Sequence, residues 1–463
     1  MFLALARASR FRRVLVARRT SAWLLTLSLV AVLPPIIERR PNWGMGGASG
    51  ASRAEEQTPA LTSLAGALQA ADPADRARAA CELGMRGTDA IAQIPSLIAL
   101  LADDARVESL ECGDHDRDGG NWTIGGEPQQ CLTSPAREAA RALSRIGTKA
   151  IQPLMTALGD VRATMRRYAA IALGMLDHRS DGPPVQRLVA SLGDGDWQVR
   201  RSVVWALGEV GTTTVVQPVA ARLKDEHPRV REMAARGLSE LEDQRSVSAL
   251  IDAVKDSEWM VRREVVHALG ELKSRTAVST LADRLTNDEH PRVRNMAAWA
   301  LGEIEDHSGA PALRAALKDR EPDVRKQAAW ALGEIEDAES VDALVGALQG
   351  DESADARQMA AWALGEIESP KSVAGLIAAL SDKDAEVRDM TAWALGEIES
   401  PAAIDALIGA LRDTEWKVRA KAAWAIGEIA DQRAAEALSA SLKDEHPEVR
   451  KMAAWALAEV TDH

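Results

Sequence analysis

Apolar residues return along this chain at helical spacing, in tracts too short to bury themselves. In residues 289–317 Pro291 marks a helix start, because a first-turn proline forfeits no needed hydrogen bond. Val293, Ala297, Leu301 and Ile304 then fall on one face of that helix. A short turn follows Glu305-Asp306, and a second helix turns Leu313, Ala316 and Leu317 inward. The same arrangement recurs from Asp194 onward, with the Arg marker at Arg200, Arg231, Arg262, Arg294, Arg325, Arg357, Arg388, Arg419 and Arg450, in steps of 31 or 32 residues. Pro228, Pro322 and Pro447 occupy the helix-start slot in other copies, and Trp197, Trp259 and Trp416 replace it in three. A fixed period of this size predicts hairpins that gain a core only by stacking, hence a solenoid.

Two polar positions repeat as strictly as the apolar ones. An Asp stands six residues before each Arg marker, from Asp194 to Asp444, and Asp160 stands so before Arg166. The pairing predicts charge-assisted contacts along the stack. A Gly stands eight residues after the marker at Gly208, Gly270, Gly302, Gly333, Gly365, Gly396 and Gly427. Mid-helix Gly costs about 1 kcal/mol relative to Ala, so its return implies that a neighbouring helix comes too close for a side chain. Ala458 replaces it in the last copy.

The tract Asp319–Ile335, with its Val-Arg and Ala-Ala-Trp-Ala-Leu-Gly-Glu-Ile, resembles HEAT repeats of the phycobilisome-lyase-like class. The likeness runs from about Leu61 to Val460, with Arg76, Arg166 and Arg137 expected to anchor weaker early copies. It implies an all-α, right-handed α-solenoid of about twelve hairpins, whose second helices line the concave side. It implies little about activity.

Positions two, five and nine after the Arg lie together on the Arg-bearing helix, opposite its aliphatic stripe. Position five is Trp at Trp205, Trp299, Trp330, Trp362, Trp393, Trp424 and Trp455, interrupted by Arg236 and His267. Position nine is Glu, including Glu303, Glu334, Glu366, Glu397 and Glu428, and position two is Met at Met296, Met359 and Met390. If these helices line the groove, the stack presents a Trp column edged by Met and Glu. Such a surface suits a protein or peptide with apolar and basic residues, through packing and cation–π contact. The competing expectation is that each indole folds sideways over the neighbouring unit and serves stability.

Composition sharpens this. Trp outnumbers Tyr and Phe together, 13 against 1 and 2, so the aromatic content belongs to the repeat. Met1–Ala54 holds nine Arg and one Glu, which leaves 47 basic against 68 acidic residues beyond it. That surface repels phosphate backbones and argues against nucleic acid as partner. Six Arg precede an apolar run at residues 22–33 that Pro34-Pro35 ends. This reads as an export signal, cleaved or kept as an anchor, of an exported bacterial chain that is periplasmic or extracellular. Membrane contact would then be confined to residues 1–54, with the solenoid at 55–463.

An insertion at 104–134 breaks the period. Cys112 and Cys131 bracket it, and their oxidation would close a loop of about 18 intervening residues, stabilising it by roughly 3 kcal/mol. Asp114, Asp116, Asp118 and Gly119 begin like a calcium loop. Asn121 and Gly125 depart from it where an aliphatic residue and a bidentate Glu belong, and Glu127 comes two residues late, so a disulfide-closed acidic loop without metal is the leading expectation and calcium, the one cofactor suggested, its rival. The deoxyhypusine hydroxylases, a branch of the resembled class, bind iron through His-Glu pairs. Here the order is reversed in Glu226-His227, Glu289-His290 and Glu445-His446, at helix starts. No phosphate loop, nucleophile elbow or zinc spacing occurs. The expectation is a non-catalytic protein-interaction scaffold. Its rivals are a regulatory appendage tuned by calcium or redox at the insertion, and a lyase or hydroxylase.

Overall fold

The computed structural model describes residues 60–108, 132–176 and 182–462. The N-terminal leader lies outside the described residues, as do Cys112, Cys131, Asp114, Asp116 and Asp118. The described residues form twelve short helices, from Leu61–Ala67 to Ala435–Ser441, alternating with twelve long ones, from Pro73–Met85 to Pro447–Asp462. Each long helix packs against its own short helix and against the long helices before and after it. The described residues therefore form an α-solenoid of twelve hairpins, with a continuous apolar seam between its two helical layers. The exception to an all-helical fold is a two-residue ladder at the root of the insertion, where Val107 pairs with Thr133 and Glu108 with Leu132.

The helix ends follow from the sequence. Asp384 accepts from the amides of Glu386 and Val387 and so caps Ala385–Ile398. At the other end several long helices close on a left-handed residue that is not glycine: Glu305, Glu336, Glu368 and Glu399 sit at φ 51–55°. Gly211 fills that place without strain in Trp197–Val210. Inside, Val324, Ala328 and Leu332 are fully enclosed, the Val and Leu side chains each worth about 1.5–3 kcal/mol for their burial.

The repeated Gly meets the neighbour it was expected to meet. A Cβ on Gly333 would lie 3.0 Å from the Cα of Ala363 in the next long helix, and Gly302 stands in the same relation to Ala331.

The repeated Asp and Arg form a ladder that ties consecutive units together. Arg325 donates from Nε to Asp351 Oδ2 at 2.6 Å and from Nη2 to Oδ1 at 2.7 Å. Its third nitrogen, Nη1, donates to the carbonyl of Asp319, the Asp of its own unit. Asp351 in turn accepts the Ser353 amide at the next helix start. The same rung joins Arg76 to Asp103, Arg166 to Asp194, Arg200 to Asp225 and so on to Arg419 and Asp444. Burial pushes the Asp351 carboxyl up, but the Arg325 hydrogen bonds, the Ser353 amide and the Arg charges outweigh it and hold the group below the usual carboxylate range. Arg137 does not anchor a copy as expected. Gly84 meets Ala142 as Gly302 meets Ala331, and that register puts Ala136 in the Arg slot of Pro135–Ile146. Asp160 is engaged instead by Arg162 within its own turn.

Candidate interaction face

The long helices bring the predicted Trp, Met and Glu positions together on one side of the stack. Each indole also lies across the Gly of the preceding unit. The Cζ3 atoms of Trp330, Trp362, Trp393 and Trp424 come within 2.6 Å of where a Cβ would stand on Gly302, Gly333, Gly365 and Gly396. Trp299 covers Gly270 and Trp455 covers Gly427 in the same way. The indoles thus serve as packing between layers. They are not enclosed by it: Trp299, Trp330, Trp362, Trp393 and Trp424 are half-buried, and Trp455 is 36% exposed. Met296, Met359 and Met390 are half-buried beside them.

The Glu row edges the same face one helical turn on. Trp330 hydrogen-bonds Glu334, four residues later on its own helix, and Trp205 hydrogen-bonds Glu209 likewise. Loss of hydration beside the indole raises the Glu334 carboxyl, with Glu303 and Glu305 adding to it, although much of the side chain stays open to water. Glu303 is paired with Lys273 at 3.3 Å, and Glu366, Glu397 and Glu428 are partly exposed. Asp389, one helical turn before Trp393, is pushed up to about 6 by burial and by Glu386 against the opposing charge of Lys421. The ammonium of Lys421 stands 5.5 Å from the Trp424 ring centre.

Where the Trp column is interrupted, other chemistry takes its place. His267 stacks on Trp299 with ring centres 5.0 Å apart. Towards the N-terminus the face turns to arginine: Arg137, Arg141, Arg167, Arg201 and Arg236, with Tyr168 buried among them. Sequence reasoning passed over this stretch, although position one after the marker, at Arg167, Arg201 and Arg263, carried the signal.

The reversed Glu-His pairs are helix starts, as expected, with a second role. The His227, His290 and His446 imidazoles accept backbone amides through Nδ1. Each also stacks on a tryptophan of the preceding unit: Trp197, Trp259 and Trp416, at ring-centre distances of 3.8, 4.0 and 3.8 Å. Among the described residues no group of His, Cys, Asp and Glu converges as a metal site would require, and no helix is long and apolar enough to cross a membrane.

Stacked hairpins tied by a repeated Arg–Asp rung define a helical-repeat protein. The pattern of HEAT repeats matches overlapping segments from 157 to 463, and a PBS lyase HEAT-like repeat matches 135–160. The chain belongs to the HEAT-repeat family. No curated protein matches it. Among solved structures it is similar to Kap95p in a complex with RanGDP, at 14% identity and a TM-score of 0.54, over 89% of this chain and 60% of Kap95p. It is similar to a Kap121p mutant at 15% identity and a TM-score of 0.51, over 87% of this chain and 53% of that one. Human deoxyhypusine hydroxylase matches 56% of this chain and 99% of its own at 23% identity, with a TM-score of 0.26. At these identities the likeness to Kap95p and Kap121p is one of fold.

Proposed function

We propose that this chain is a non-catalytic scaffold that binds a polypeptide segment along the face of its long helices, from Trp299 to Trp455. HEAT-repeat architecture supports a protein-interaction role in general, and Kap95p, whose binding is tied to the RanGDP switch loops, shares that architecture. One observation carries the finer reading. Six successive indoles each rest one side on a glycine and leave another accessible, beside half-buried Met and partly exposed Glu side chains. Aromatic surface with a polar handle anchors partners well, and the carboxylate row selects a segment with Lys or Arg. The basic, apolar leader supports a site of action outside the cytoplasm.

The test spares the indoles, because removing them would uncover the glycines beneath. Glu334, Glu366 and Glu397 are changed together to Lys, and binding of a labelled Leu/Lys peptide is followed by fluorescence anisotropy. The expected result is at least a tenfold loss of affinity with an unchanged melting temperature. Equal affinity would remove the Glu row from the site.

A further inference from the structure

The stretch of this face that precedes Trp299 is rich in arginine, and the fold pairs only some of these side chains with carboxylates. Four successive long helices, Pro135–Ile146, Ala163–Gly174, Trp197–Val210 and Pro228–Glu240, contribute Arg141, Arg167, Arg201 and Arg236. Carboxylates answer some of this charge. Glu138 binds Arg141 at 3.1 Å, Asp104 stands 3.4 Å from Arg167, and Glu232 binds Arg229 at 2.9 Å. Arg201 and Arg236 form no direct hydrogen bond or ion pair among the described residues, although Glu232 acts on Arg201 and Glu209 on Arg236 at longer range. Nor does the Nε of Arg141 or of Arg263, both enclosed without an acceptor. Burial lowers Arg201, and although Glu232 opposes this, the Arg229, Arg167 and Arg236 charges press it down further. A fold that needed Arg201 only for stability would gain by replacing it, since a positive charge partly withdrawn from water among other positive charges costs free energy.

We propose that this arginine stretch is a second binding station, separate from the Trp column, that takes an extended acidic polypeptide segment. The geometry favours a chain over a compact oxyanion. Helices packed side by side stand about 8–10 Å apart, so four of them spread the guanidinium groups over roughly 30 Å. An extended strand of about nine residues covers that length. Arginine meets carboxylates in a two-pronged fashion, the chemistry already present in the rungs from Arg166 to Arg419.

The full-length protein is titrated with a fluorescein-labelled oligoglutamate of about ten residues, at low and at physiological salt. Binding is expected, weakening as salt rises. Arg201→Glu with Arg236→Glu should weaken it at least tenfold while far-UV circular dichroism and the melting temperature hold. Arg236→Gln alone, at an exposed side chain, should weaken it a few-fold. The Glu334, Glu366 and Glu397 to Lys variant should bind oligoglutamate as tightly as wild type, or more so, which separates this station from the one proposed above. Absence of binding at low salt, or the same affinity in the Arg variants, overturns the proposal. Displacement of the peptide by equimolar inorganic phosphate also overturns it, since the site would then be one for a compact anion.

Discussion

Replacing Asp351 by Ala tests what the ladder contributes, because it removes one rung at the middle of the stack. Arg325 would lose two charge-assisted hydrogen bonds, of 2.6 and 2.7 Å, and the Ser353 amide would lose its acceptor. The Asp351 side chain is 4% exposed and that of Arg325 16%. Breaking a buried pair from one side costs about 3–5 kcal/mol. Arg325 keeps the Asp319 carbonyl at 2.9 Å and some access to water, so the lower end, about 3 kcal/mol, is expected. Solenoids are held by nearest-neighbour terms, so position matters as much as magnitude. Urea unfolding followed by circular dichroism should broaden or split for Asp351→Ala, as the halves on either side uncouple. Asp444→Ala breaks the last rung, to Arg419, and should only fray the final hairpin. In the double variant Arg325→Ala, Asp351→Ala, the loss should be less than the sum of the two single losses. A shift below about 0.5 kcal/mol in both single variants would refute the reasoning and place the rungs among exposed pairs of little worth.

Three further outcomes are expected. Gly333→Ala puts a methyl 2.6 Å from the Trp362 ring and 3.0 Å from the Ala363 backbone; a loss of about 1–3 kcal/mol in urea titration is expected, and Trp362→Ala should restore only part of it because the backbone contact stays. Changing Glu305, Glu336, Glu368 and Glu399 to Gly relieves left-handed backbone at four helix ends and removes carboxylates from the negative end of each helix dipole, which should raise stability by about 0.5–1 kcal/mol per site. Burial holds the His227 and His290 imidazoles below the usual histidine value, with the Asp225 and Asp288 charges opposing and nearby arginines assisting. Their contribution is therefore complete above the unfolded value of about 6.5 and is lost as pH falls through the folded one. The melting temperature should drop as pH falls below about 6.5, and His227→Asn with His290→Asn should flatten that drop. The ladder aspartates, held below their ordinary value, give up their share only below about pH 4.

Much of this was legible because the repeat states each rule many times. The six-residue step from Asp to Arg named both partners of a rung. It did not say that Arg325 clasps the carboxylate of the following unit and only the carbonyl of its own, since that depends on how far one hairpin slides past the next. The Trp column was visible as a period, but its orientation was not, because the indole turns over a neighbour's glycine. A signal for that was present. Trp205, Trp299, Trp330, Trp362, Trp393, Trp424 and Trp455 all follow a unit with Gly in the facing slot, whereas His267 follows Ser239. Gly208 is followed by Arg236 and is met by Gly237 instead. The histidine stacking was equally readable: the three units that open on Trp197, Trp259 and Trp416 are the three followed by Glu-His-Pro. The arginine stretch was hidden by averaging, since an excess of acid over the whole chain masks a local excess of base.

Hydroxyl-radical footprinting with and without the Leu/Lys peptide puts the account to its most direct trial. Oxidation of Trp299 through Trp455 and of Met296, Met359 and Met390 is expected in the free protein, with protection of that set alone once the peptide binds. Indoles that resist oxidation from the outset, or that react equally with peptide bound, would contradict it.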